Sequence, residues 1–135
     1  MPYTELDHTA DILIRVRAPT LNGLFSEAAR AMFATMFADR SPGGREEAFS
    51  LCADDRDELL RDFLSELLFL SEVKGVVFTD AEVDLQGTCL SCTAHGESFD
   101  PQRHRGGTEI KGVSFSGLRI INTDEGYQVD ILFDV

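Results

Sequence analysis

Two stretches of this chain carry apolar residues at the spacing of an α-helix, and much of the rest alternates like a β-strand. The first helical stretch runs from a Thr20 cap to about residue 39. It puts Leu21, Leu24, Phe25, Ala28, Met32, Phe33 and Met36 on one face. The second opens on Asp55, with Glu58 three residues later, a capping-box pattern with aspartate in the Ser/Thr place. It carries Leu59, Leu60, Phe63, Leu64, Leu67, Leu68 and Phe69, and its acids Asp57, Glu58, Asp62 and Glu66 mark one wet side. Gly75 is placed to end it.

Around these helices the period changes to two. Ile12, Ile14 and Val16 alternate with neighbours that include Arg15 and Arg17, which reads as a half-buried strand. Further strands are expected over 48–53, at 76–78 and 82–85, and around Leu90, Cys92 and Ala94. Residues 40–45 and 96–107 read as loops from their Gly and Pro content. Two last strands, about 109–121 and 127–133, flank the turn 122–126 as a hairpin. Two long helices among mostly antiparallel strands make an α+β layered fold. With 135 residues, no repeat and no long linker, a single domain over 1–135 is expected.

Composition narrows the function. Apolar residues make up 43% and charged residues 27%, which excludes a disordered tail and a membrane span. The formal charge of −12 repels phosphate backbones, so a direct grip on nucleic acid is disfavoured and contact with a basic protein patch is favoured. Three cysteines, an odd number, argue against a disulfide framework. With no apolar run of signal-peptide length near the N-terminus, the expectation is a reduced, cytoplasmic protein.

Familiar catalytic templates are missing: there is no nucleophile elbow, P-loop or dinucleotide fingerprint. Cys89-Leu90-Ser91-Cys92 has Cys-x-x-Cys spacing, but on a strand its two thiols face opposite sides, so ordinary packing is expected. His8, His95 and His104 are scattered, and Arg103-His104-Arg105 with Lys111 forms a small basic island. The acids at the chain ends are more informative. Asp11 opens the first strong strand, and Asp134 sits beside the Val135 carboxylate. If Ile131 and Phe133 point inward, Asp130 and Asp134 share the other face. Should the last strand pair with the Asp11 strand, Asp11, Asp134 and the Val135 carboxylate could converge. Calcium, magnesium and manganese prefer such oxygen ligands.

At these same residues the chain resembles the archease family along essentially its whole length. The resemblance runs through Asp7-His8-Thr9-Ala10-Asp11, Thr20-Leu21, Ala28-Ala29, Ala31-Met32-Phe33 and Leu64-Ser65-Glu66-Leu67-Leu68-Phe69. It continues with Gly96-Glu97, Asp100, His104, Glu109-Ile110-Lys111-Gly112-Val113-Ser114-Phe115 and Asp134-Val135. Gly112 stands where the family often has alanine, and Ser116 where many members have histidine. The resemblance implies a protein cofactor of the GTP-dependent RNA ligase of tRNA splicing and RNA repair, acting through the ligase and touching RNA only indirectly. It implies metal ligands at Asp11, Asp134 and the Val135 carboxylate. It also makes Lys111, with His8 and His104, candidates for contact with the ligase or its nucleotide. The competing readings are a metal-dependent hydrolase, for which no general base and nucleophile pair is evident, and a chaperone or scaffold.

Overall fold

The computed structural model describes residues 11–104, 106–115 and 117–135. Strand β1 (Asp11–Ala18) leads into helix α1 (Leu21–Met36), strand β2 (Arg45–Cys52) and helix α2 (Arg56–Lys74). Five strands follow: β3 (Val76–Gln86), β4 (Cys89–Ser98), β5 (Gly112–Val113), β6 (Ile121–Thr123) and β7 (Gly126–Asp134). The α+β expectation holds.

Both helices begin where their caps predict. The Thr20 hydroxyl accepts from the Gly23 N–H at 3.0 Å, and the Asp55 carboxylate accepts from the Glu58 N–H at 2.8 Å. Helix α2 stops at Gly75, whose φ of 63° is left-handed. Helix α1 ends at Met36, short of the expected 39, because another segment claims its last turn. The Thr108 N–H donates to the Thr35 carbonyl at 3.0 Å, and a Cβ on Gly107 would lie 2.1 Å from the Met36 carbonyl oxygen. Only glycine admits that approach.

The strands form two sheets. In one, β7 is central: β1 pairs along its whole length, while β5 and β6 share its other edge at opposite ends. The other sheet has the order β2-β4-β3 and is antiparallel throughout. Helix side chains fill the space between the layers, as in the Phe25–Phe63 and Phe33–Phe78 ring contacts at 5.6 and 5.3 Å. Val129, Ile131 and Phe133 of β7 are fully buried, so the alternation read for the last strand holds.

Three local expectations change. The strand expected over 109–121 survives only as β5 and β6. Between them, Gly117 has a φ of 73° and the Ile120 N–H donates to Asp57 of α2 at 2.9 Å, so that backbone serves a helix and not a ladder. Residues 96–98, read as loop, extend β4, because Gly96 lets the backbone of Val77 approach: a Cβ there would lie 2.2 Å from the Val77 carbonyl oxygen. The expectation of reduced cysteines is also corrected. Cys52 and Cys89 are register partners on β2 and β4 and form a disulfide. The Cys89–Cys92 spacing does face opposite ways, as expected, which leaves Cys89 free to meet a thiol on the neighbouring strand. Cys92 is the packing residue, and burial pushes its thiol up to about 12.

Candidate functional site

The antiparallel pairing of β1 with β7 brings the two ends of the described chain together. Asp11 is the direct register partner of Asp134. On the other edge of β7, Gly112 pairs with the same Asp134, and the Lys111 N–H donates to the Asp134 carbonyl at 2.7 Å. Three segments distant in sequence thus place Asp11, Lys111 and Asp134 at one exposed corner of the sheet, with Val135 one residue beyond. His8 lies outside the described residues, as does Ser116.

The electrostatics of this corner are unusual for a sheet. Directly opposed side chains sit roughly 4.5–5.5 Å apart at Cβ, and like charges so placed oppose pairing. The next carboxylate on the same face shows the ordinary remedy. Asp130 stands opposite Arg15 and accepts from its Nε and Nη2, at 2.8 and 3.0 Å, which holds its carboxyl below the usual range. No arginine or lysine of the described residues forms an ion pair with Asp11 or Asp134. A Cβ at 112 would fit: it would meet only the Asp134 carboxylate, at an ordinary 3.8 Å.

These donors are hard oxygens, which suits a calcium, magnesium or manganese ion better than a soft one. The side chains alone do not complete a cage. Among the described residues, no three His, Cys, Asp or Glu side chains are grouped to hold a metal. Among the described residues, Asp11 and Asp134 supply two carboxylates at this corner.

His104 is placed quite differently. Its ring is buried, stacked on Phe99 at 5.7 Å and edge-on to Phe37 at 5.9 Å, so it does not present itself to a partner in this structure. Its Nδ1 accepts from the Asp100 N–H at 2.8 Å, which assigns the hydrogen to Nε2 and makes that atom the donor to Glu97 at 3.1 Å. Glu97 also accepts from Arg103 at 2.6 and 3.2 Å, from the Ser41 N–H at 2.9 Å and from the Ser41 hydroxyl at 3.1 Å. Arg103 and these donors pull the Glu97 carboxyl down to about 2. Arg103 further binds Asp39 at 3.2 Å. The basic island is therefore partly consumed internally: Arg103 ties the loop after α1 to the end of β4. Glu97 has no assigned role in the sequence pattern alone. The available signal was an acid followed within seven residues by Asp100-Pro101, an arginine and a histidine.

A two-sheet α+β fold with an acidic corner where the first described and last strands meet defines the class of protein. The archease protein family model matches residues 3–135, and the chain belongs to that family. It is 35% identical over 141 residues to "Protein archease" of Methanopyrus kandleri, covering 100% of both chains. The crystal structure of an archease from Thermotoga maritima, described there as a possible chaperone, matches with a TM-score of 0.74. It is 19% identical and covers 100% of this chain and 98% of that one, a likeness of fold. The solution structure of a Methanobacterium thermoautotrophicum protein gives a TM-score of 0.70 at 27% identity, covering 96% of each chain.

Proposed function

We propose that this chain is an accessory factor of a GTP-dependent RNA ligase, promoting guanylylation and repeated turnover of the ligase in tRNA splicing or RNA repair. The observation that carries this reading is the β1–β7 register, which sets Asp11 against Asp134 with the Lys111 backbone bonded to the same strand end. Asp11, Asp134 and the Val135 carboxylate would hold the divalent ion, calcium, magnesium or manganese. A divalent ion at such a place supplies positive charge against developing phosphate charge.

The residues of the chain do the rest. The sheet holds the two carboxylates at fixed separation, so little ordering is needed when the corner meets a partner. Lys111, exposed and tethered to β7 through its own amide, is positioned to offer a cation to a phosphate or to the ligase. The −12 charge suits contact with a basic protein surface over contact with RNA, so RNA is engaged through the ligase. No helix of the described residues is long and apolar enough to cross a membrane.

The test is RNA joining by the cognate ligase under single- and multiple-turnover conditions, with and without this protein. The expected result is faster guanylylation and many joined ends per ligase with the protein present. No stimulation in either regime would overturn the reading.

A further inference from the structure

A second surface lies on the other side of Lys111 from the acid corner. A cavity of about 390 Å3 opens between the C-terminal ends of α1 and α2 and the segment 106–110. Its walls include Phe37, Leu68, Phe99 and Ile110. Gly75 and Gly106 are also in its lining.

The chemistry of the lining decides what it can take. Three polar groups in the walls are already paired: Ser71 Oγ donates to the Val76 carbonyl at 2.7 Å, the Phe99 N–H to the Gly75 carbonyl at 2.8 Å and the Thr108 N–H to the Thr35 carbonyl at 3.0 Å. The charged residues lining it are Glu72 and Glu109, both exposed and neither in an ion pair among the described residues. Two carboxylates, with no cation among the described residues of the lining, repel a nucleotide or any other phosphate. They attract a basic group.

The surface beside the cavity continues the same pattern. Helical spacing puts Asp62, Glu66, Phe69 and Val73 along one stripe of α2, next to Glu72. Phe69 and Val73 are 55% and 63% exposed, and Phe99 at the cavity is 45% exposed. Large exposed apolar side chains gathered with carboxylates mark an interaction surface on a monomeric domain.

We propose that this cavity is a docking pocket for a basic segment of a partner protein, which inserts one large apolar side chain while flanking Lys or Arg residues meet Glu72 and Glu109. The pocket supplies the apolar anchor that carries most of the binding in such contacts, and the carboxylates set the sign of the partner. The inference holds whether or not the partner is an RNA ligase. Two-residue spacing from Ile110 to Gly112 puts any partner so docked beside the Asp134 corner.

The probe is a short synthetic peptide with one leucine between pairs of lysines, titrated into the full chain and followed by amide NMR shifts. The expected result is shifts centred on Leu68, Phe99 and Ile110. Binding should weaken at least tenfold when the leucine becomes serine, and at least tenfold when the lysines become glutamates. The double substitution E72K/E109K should weaken the leucine peptide about tenfold, while D124K/E125K at the distant β6–β7 turn should change it less than twofold. Thermal melts confirm that both variants fold, and the wild-type contrast among peptides needs no variant. The proposal is overturned if no peptide binds, if the serine or glutamate peptide binds as well, if shifts follow charge across the whole surface, or if the two charge variants act alike.

Discussion

Two carboxylate sites, one at the end of each sheet, are treated in opposite ways. In the β2-β4-β3 sheet, Glu97 at the end of β4 is filled with donors from Arg103, His104 and Ser41, and the strands are stapled by the Cys52–Cys89 disulfide. Side chains of α1 even cover the outer edge of β3: Ser26 donates to the Ala81 carbonyl at 2.9 Å, and Asn22 accepts from the Leu85 N–H at 2.9 Å. In the sheet built on β7, Asp11 and Asp134 face each other with no cation of the described residues between them. A saturated carboxylate holds loops in place. An opposed, unsaturated pair is where a missing charge can be supplied from outside.

The largest effect should come from unsaturating the first region. Glu97→Gln removes the charge that organises Arg103, His104 and Ser41 and leaves their donors poorly matched, so the melting temperature should fall well below that of any single change at the acid corner. The pH dependence should change with it. A carboxyl held near 2 in the fold against 4.5 ordinarily contributes stability above about pH 4.5, and that contribution drains away as pH falls toward 2. Urea titrations from pH 7 to 3 should show this acid limb in the parent and a flatter one in Glu97→Gln. Equal slopes would mean that Glu97 is not the lock described.

Opening the staple ranks next. Replacing Cys52 and Cys89 together by serine frees a sequence separation of 37 residues, and chain entropy assigns such a loop about 2–4 kcal/mol. Urea unfolding without reductant measures it, and an unchanged midpoint would show that the bond adds nothing to that sheet. The smallest effect should lie at the open corner and carry the opposite sign. In metal-free buffer, Asp134→Asn relieves the like-charge pair and should stabilise the protein by roughly 0.2–1 kcal/mol. A loss of stability there would mean that Asp134 has a partner and that the contrast between the sheets is false.

Much of this was legible in residue order. Period and caps gave both helix starts, because Thr20 and Asp55 act on their own first turns. The meeting of β1 with β7 was conditional in the sequence, since alternation marks a strand but does not choose its neighbour. The burial of Val129, Ile131 and Phe133 and the register with β1 turn that condition into geometry. What escaped reading depended on contacts between distant segments. The early end of α1 follows from Gly107 and Thr108, and the broken strand after Val113 follows from Asp57. The disulfide escaped because spacing along one strand says nothing about a thiol on the next. Glu97 escaped because its donors come from the loops that follow α1 and β4, which meet only in the fold.

The most direct test is a manganese titration followed by electron paramagnetic resonance of the free ion, on the parent, Asp11→Ala, Asp134→Ala and Glu97→Gln proteins, each checked for a folded melt. One ion bound per chain in the parent and in Glu97→Gln, with binding lost in both aspartate variants, is the predicted result. Binding that survives Asp11→Ala and Asp134→Ala, or a parent that takes up no manganese, would contradict the assignment of the open corner as the cation site.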